Sequence, residues 1–585
     1  MNTYALDFET YYDKEYSLKT LGTDAYVEDN RFDPYLLAVS GSDGFRWVGK
    51  PVNFDWEKIN GHTWLSHNAS FDERVYLQMQ RDTPSLAGIN PSDWHCTSNL
   101  SVFCQGPRSL AGASKQWLRK TVIKDVRDKM KGRAADELLK DQAALDYAAK
   151  DSDLCLEVWN HLESQWPVEE RRLGRLTYQW GKKGVFIDSS RVNQSVDHLV
   201  FQLSQAEHLI PWAGERPPTS PKAMREACRD AGIQAPASFA MNDEAATIWF
   251  NTYSEQHPWI KAVRDFRRIN MLLKKFNAVK RRIRPDGTMG YGMKYFGATP
   301  TGRWSGDAGV NMQNLPRGEL FGTNLRKCIV PNPGNVFVSA DLSQIEVRTL
   351  AWLSGDESYL QMMRDGYNPY NAAAQDLLGK RPEDVTPDEY QMLKGMILGC
   401  GYGMGEQKFR LQAPVLTGGK YAPSAAEARD NVRTYRTSKP KVINLWNALA
   451  RDLKKSIYEE DQTYEIELPS GRSMKYFQPH ITSGHYTAAI QLGGKRTAYH
   501  GGKLVENVSQ AMARDIFAEG LLRIEDAGLP GRVALHVHDE VVFEVEESLA
   551  SEVSAELLRL MCVTPDWCKG LPVRAEAKIC KEYTK

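Results

Sequence analysis

The run "ALHVHDEVVFEV" (534–545) sets His538, Asp539 and Glu540 inside an apolar, β-branched stretch. Stripping water from an ionised carboxylate is costly unless a partner compensates. A chain with this run must turn at the polar triplet, bring a cation to it, or do both. The flanking β-runs predict a hairpin with Asp539 near its tip. A second β-run, Val336 to Ala340 within "NVFVSADLSQIEVRTLAWLSGD" (335–356), ends at Asp341, and a helix is expected just after Ser343. One sheet can bring these two carboxylates together, and bound Mg²⁺ would then offset their repulsion. A solvent-facing hairpin with a polar turn remains the plainer reading of "HDE" alone.

At 585 residues the chain exceeds what one core usually serves, and two to four domains are expected. The start, "MNTYALDFETYYDKEY", is acidic and is no signal peptide, and no apolar run is long enough to span a bilayer. The nine cysteines form no CxxC pair, which argues against a zinc ribbon or disulfide scaffold and fits a reducing, cytosolic setting. The net charge of zero hides an asymmetry. Residues 1–165 hold 25 acidic and 19 basic side chains, so the remainder is net positive by six. Within "KAVRDFRRINMLLKKFNAVKRRIR" (261–284) ten Lys/Arg face one Asp, and Phe266, Ile269, Leu272, Leu273 and Phe276 form a stripe at helical spacing. A solvated helix face is one reading of this run, and contact with a phosphate backbone is the other.

The opening third alternates short β-runs (Tyr4–Phe8, Tyr35–Ser40, Thr63–Leu65) with helical patterns, the signature of an α/β domain ending near Pro167. Residues 170–285 read as mostly helical, and a mixed α+β pattern follows from about 290. "YALDFETYY" aims Asp7 and Glu9 at one face of a strand. Asn68 with Asp72, and Tyr147 with Asp151, are spaced by four, as on one face of a helix. Four carboxylates can hold two divalent ions that activate a water and stabilise a phosphodiester in flight.

This set resembles the DEDD 3′–5′ exonuclease family in its tyrosine-bearing, proofreading branch, with an RNase H-like α/β fold over residues 1–165. The resemblance implies metal ligation by Asp7, Glu9, Asp72 and Asp151, with Tyr147 orienting the water. From about 290 to 545, "YFGATPTGRWSGDAGVNMQNLP", the Asp341 segment, "DEYQMLKGMILGCGYG", "ENVSQAMARDIFAEGLL" and the Asp539 segment follow in fixed order. They closely resemble the polymerase core of family A DNA polymerases, an α+β right hand of thumb, palm and fingers. On that resemblance residues 166–585 are the polymerase, with the thumb at about 186–290, the palm at 291–350 and 480–585, and the fingers at 351–479.

The resemblance makes Asp341 and Asp539 the ligands of two Mg²⁺ (Mn²⁺ being an acceptable substitute), with Glu540 and His538 in support near the primer end. Glu346 belongs either to an S-x-x-E capping box begun by Ser343 or, as in the family, to a steric gate against a ribose 2′-hydroxyl. "DEYQMLKGMILGCGYG" reads as the fingers helix, with Tyr390, Lys394, Leu398 and Tyr402 on one face. Lys394 would meet triphosphate oxygens, and Tyr402 the template base or sugar site. Two departures stand out: Tyr390 replaces the usual arginine, and Leu398 the usual Phe or Tyr. Arg303, Asn311, Gln313, Asn314 and Gln510 match contacts to primer–template, where amides suit the shared minor-groove acceptors.

The expected partners are primer–template DNA and dNTPs, with no membrane, a monomeric state and unidentified processivity or replisome factors. The expected setting is the cytoplasm of an infected bacterial host, because the chain begins directly with the exonuclease and has a compact polymerase part, as in phage enzymes. A decayed primer–template clamp and a single-subunit RNA polymerase are the competing readings. Glu346 and the exonuclease weigh against the second.

Overall fold

The computed structural model describes residues 2–122, 125–240, 243–307 and 310–584, so Ala308 and Gly309 of the segment quoted above lie outside it. The chain divides into two compact units. One comprises Met1–Gly181, Met293–Gly306 and Val338–Ile579, and the other Lys182–Gly292, Asp307–Phe337 and Cys580–Lys585. The division does not fall at Pro167, where the sequence suggests a boundary. Trp166 is buried there, and the helix Val168–Lys183 continues the first unit.

The first unit opens with a five-stranded mixed sheet in the order Arg46–Gly49, Pro34–Gly41, Thr3–Thr10, Thr63–Ser66, Asp93–Cys96. The first three strands are antiparallel, and the last two run parallel to Thr3–Thr10. In Thr3–Thr10 the residues Leu6, Phe8 and Thr10 are buried while Asp7 and Glu9 are half-exposed, the alternation that period-two geometry requires. The helix Gln142–Leu162 lies against this sheet, joined through the Ser40–Ser152 hydroxyl contact of 2.8 Å.

A four-stranded sheet in the order Arg532–Val537, Glu540–Glu546, Asn335–Leu342, Ala575–Cys580 carries the second carboxylate pair. Val537 pairs with Glu540, so His538 and Asp539 are the two residues of a tight hairpin turn, with His538 at a φ of +57°. Behind this sheet runs the helix Gly501–Asp526, almost wholly buried. A further antiparallel sheet, Thr463–Glu467, Ser473–Thr482, His485–Ala489 and Arg496–Ala498, is absent from the sequence reading. Position 480, near which the sequence reading sets the fingers–palm limit, lies within its second strand.

The other unit contains the helix Pro258–Lys280, which buries Ile269, Leu272 and Phe276 and packs on Ser189–His208. Phe266 and Leu273 are only half-buried. Part of the basic run is engaged locally. Arg267 donates to the Phe239 carbonyl at 2.6 Å, and Lys261 pairs with Asp265 at 2.6 Å. Lys274 and Lys280 stay exposed. Among the described residues no helix is long and apolar enough to cross a membrane.

A buried ionic network ties three distant parts of the first unit together. Arg514 donates both terminal nitrogens to Glu170, one of them at 2.8 Å, and Tyr295 donates its hydroxyl to the same carboxylate at 2.6 Å. The Arg514 guanidinium lies 4.8 Å from the Trp304 ring centroid, and Asp515 pairs with Arg472 at 3.1 Å. Glu170→Leu would leave the Arg514 cation buried beside one remaining acid, at a cost of about 3–5 kcal/mol read as a lower urea midpoint. Adding Arg514→Met should recover much of that loss.

Candidate active sites

In the first unit, Asp7 and Glu9 project from one face of their strand, and Asp72 comes from the helix Ala69–Asp82. The Phe8 backbone N–H, between the two strand acids, donates to Asp72 Oδ1 at 3.1 Å, which fixes that carboxyl against the strand. Asp72 is buried, and burial pushes its carboxyl up to about 8, with the charge of nearby Glu9 adding to the shift. Tyr147 and Asp151 share one face of the helix Gln142–Leu162, and their side chains are hydrogen-bonded. Burial drives the Tyr147 phenol far upward, and the charges of Asp151, Glu9 and Asp7 push the same way. The five side chains are thus electrostatic neighbours. Among the described residues, no three His, Cys, Asp or Glu side chains converge tightly enough to hold an ion as they stand. A cation would have to draw the four acids closer.

Asn68 departs from its expected place. It caps the helix at a φ of +87° rather than sharing its face with Asp72, and its side chain accepts from the Ser70 hydroxyl at 2.9 Å.

In the second site, the Leu342 backbone N–H donates to the Asp539 carbonyl at 3.1 Å. This bond sets Asp341, the penultimate residue of its strand, beside the turn bearing Asp539. Both acids are half-exposed, whereas Glu540 is buried and accepts from the Ser339 hydroxyl. His538 is exposed at the tip. The sheet therefore gives the adjacent acids opposite fates: Asp539 faces outward and Glu540 packs inward.

Glu346 lies on the first turn of the helix Ile345–Leu353. The capping box does not form. The residue before the helix is Gln344, in left-handed backbone at φ +46°, and no side chain caps the helix. Glu346 instead accepts from Arg303 at 3.2 Å and from Gln510. Its carboxyl is raised above the usual range by burial, with Glu506 adding and Arg303 opposing.

The fingers-type helix spans Pro387–Cys400 and begins with a true capping box, Thr386 with Glu389. Tyr390, Lys394 and Leu398 form its half-exposed face, opposite buried Leu393, Met396, Ile397 and Cys400. Tyr402 is not on that face, because the helix ends at Cys400. Its hydroxyl reaches the Glu346 carbonyl at 3.3 Å and Ser509 Oγ at 3.2 Å, so it stands beside Glu346 and the helix bearing Gln510. Tyr390 packs edge-on against Tyr370 with ring centroids 5.7 Å apart and hydrogen-bonds Asn368.

Asn311, Gln313 and Asn314 fall in the other unit, on the short turn Met312–Asn314. Asn311 caps this turn by accepting from the Gln313 backbone N–H at 3.0 Å. Gln313 is buried, while Asn311 and Asn314 are exposed. The sequence reading missed Glu506, which accepts from Gln510 Nε2 at 3.3 Å and pairs with Lys503 at 3.0 Å. The signal was available, since positions 503, 506 and 510 share one helical face.

A family described as DNA polymerase family A matches residues 220–585, and one described as 3′-5′ exonuclease matches residues 58–167. A DNA polymerase of Bacillus phage SP02 is 25% identical, with all of both chains covered. DNA polymerase I of Rhizobium leguminosarum is 24% identical over 88% of this chain and 50% of that one, so the chain spans about half the length of this bacterial relative. A solved structure titled "POL domain of Pol1 from M. smegmatis complex with DNA primer-template and dNTP" covers all of this chain at a TM-score of 0.71. Its 17% identity makes this a likeness of fold. With more than half its length matched, the chain belongs to DNA polymerase family A and is a DNA polymerase that also carries a 3′–5′ exonuclease domain.

Proposed function

We propose that this polymerase extends a primer 3′-hydroxyl at Asp341 and Asp539 and removes misplaced nucleotides at Asp7, Glu9, Asp72 and Asp151. The observation that carries the reading is the Leu342–Asp539 backbone bond, which brings two carboxylates nearly two hundred residues apart to one end of two adjacent central strands. Hard oxygen donors in both sites suit Mg²⁺ or Mn²⁺. When bound, the ions would lower the pKa of the attacking oxygen and neutralise charge on the phosphoryl group.

The chain's own residues supply the rest. Lys394, on the open face of the fingers-type helix, offers a point charge to a triphosphate. Glu346, held by Arg303, would screen a sugar for its 2′-hydroxyl, and Tyr402 backs it from the turn after the fingers helix. Asn311, Gln313, Asn314 and Gln510 are contacts to the primer–template, and His538 and Glu540 support the primer end. Tyr147 orients the water of the degradative reaction. The thumb assigned from the sequence, at about 186–290, lies within the segment Lys182–Gly292 of its unit, and its exposed Lys274 and Lys280 would meet DNA phosphates. The full-length phage relative supports a role in copying a viral genome inside a bacterial host.

Asp539→Ala should abolish primer extension with dNTPs and Mg²⁺ while sparing digestion of a single-stranded 3′ end. Asp7→Ala should do the reverse. Loss of both activities from either change would show that the sites are not separable, and no extension by pure wild-type protein would favour a clamp. Glu346→Ala should raise ribonucleotide incorporation relative to dNTPs on the same template.

Asp72 gives a test that does not depend on turnover. Folding raises its pKa, so the stability linked to its protonated form is fully present below the unfolded value near 4 and is lost as pH rises through about 8. In chelator, Asp72→Asn should therefore gain thermal stability relative to wild type as pH rises from 5 to 9. Mg²⁺ should raise the wild-type melting temperature most above pH 8, where the acid is ionised, and raise that of the variant less. Calorimetry across this pH range, with and without Mg²⁺, reads both effects.

A further inference from the structure

The helix Gly501–Asp526 is buried through its first ten residues except at Lys503, Glu506 and Gln510. These three form a single open stripe, and it faces the polymerase site, because Gln510 hydrogen-bonds Glu346 and Ser509 contacts Tyr402. The Gln510 amide is caught between two carboxylates. Its Nε2 donates to Glu506 Oε1 at 3.3 Å, and its side chain also bonds Glu346. Carboxylates only accept, so the amide must turn its NH₂ to them and its carbonyl away. Glu506 keeps accepting capacity beyond its bonds to Gln510 and Lys503. Beside the Lys503 ammonium, Glu506 and the Gln510 carbonyl thus offer acceptor oxygens, the opposite of the donor role expected of a minor-groove amide. Arg303, which donates to Glu346 at 3.2 Å, would supply the donor for the acceptors that all base pairs share.

On the minor-groove edge of a base pair the donor is the exocyclic 2-amino group of a purine. Resting on the polymerase assignment, we propose that Glu506, with the Gln510 carbonyl it orients, is a specificity-determining contact for a purine 2-amino group in the pair at the primer terminus. A pair carrying that group meets a charged acceptor. A pair lacking it leaves the Glu506 carboxylate facing an acceptor edge, without a donor and with like polarity.

The test is single-turnover extension, in the Asp7→Ala background, of primers whose terminal pairs differ only in this group. The comparisons are guanine against hypoxanthine opposite cytosine, and 2,6-diaminopurine against adenine opposite thymine. A hydrogen bond to a charged group predicts extension roughly tenfold faster with the 2-amino group present. Glu506→Gln should bring that ratio close to one, with thermal melting confirming that the variant is folded. Lys503→Ala removes the ion pair but keeps the carboxylate, so the ratio should persist. An unchanged ratio in Glu506→Gln, a ratio near one in the parent, or an equal loss in Lys503→Ala would overturn the proposal. Extension failing with every primer in the parent would instead bring down the polymerase reading, and this inference with it.

Discussion

The proposed polymerase site depends on one pairing of strands, Asn335–Leu342 beside Glu540–Glu546. The side-chain period of a strand is two, so a slip of one residue would turn Asp341 onto the face that now carries buried Val336, Val338 and Ala340. Register is therefore held by the core on one side and by the Leu342–Asp539 bond at the end. The backbone makes the acids neighbours before any ion is considered. Charge repulsion between them is a cost that the fold accepts in return for the buried face of Val336, Val338, Val541 and Phe543.

The same sheet shows how the chain keeps its other acids quiet. Glu540 and Glu544 are both buried, and each has a partner: Ser339 for the first and Arg532 at 2.6 Å for the second. Glu170 and Asp515 are likewise matched to Arg514 and Arg472. Asp72 differs. Its carboxyl is held by a backbone N–H and lies near another acid, and its affinity for a proton rises instead. A buried carboxyl kept in reserve in this way is what a cation site requires, because the ion displaces a proton rather than a salt bridge.

Much of this was legible in the residues. The alternation in "YALDFETYY" and the β-run, turn and β-run of "ALHVHDEVVFEV" each reduce to a period-two rule, and the strands appear where that rule puts them. Spacing rules failed at helix ends. Asn68 and Tyr402 have the right intervals, yet one precedes its helix and the other follows it. Ser343 and Glu346 spell a capping box, but Gln344 adopts left-handed backbone and moves the helix start by one residue. The sheet Thr463–Ala498 went unread although Thr463–Glu467 alternates buried Tyr464 and Ile466 with exposed Glu465 and Glu467, and only its second strand breaks the period, at the register shift between Phe477 and His480. The local spelling does not encode which competing cap or register the tertiary contacts will choose.

The two fingers departures have unequal physical weight. Tyr390 sits one turn before Lys394, with its ring edge-on to Tyr370 and its hydroxyl bonded to Asn368. It therefore braces the helix against its neighbours and brings no positive charge to the open face. Leu398, one turn after Lys394, packs in part on the core beneath the helix, among the cluster that includes Leu350 and Phe409. An apolar side chain without a ring or hydroxyl gives a sugar or base contact area only. Under the proposed assignment, the charge that holds a triphosphate on this face is that of Lys394, and polar discrimination belongs to Glu346, Arg303, Glu506 and Gln510. On the proposed assignment, selectivity then rests on acceptors and donors held in place by the helix Gly501–Asp526.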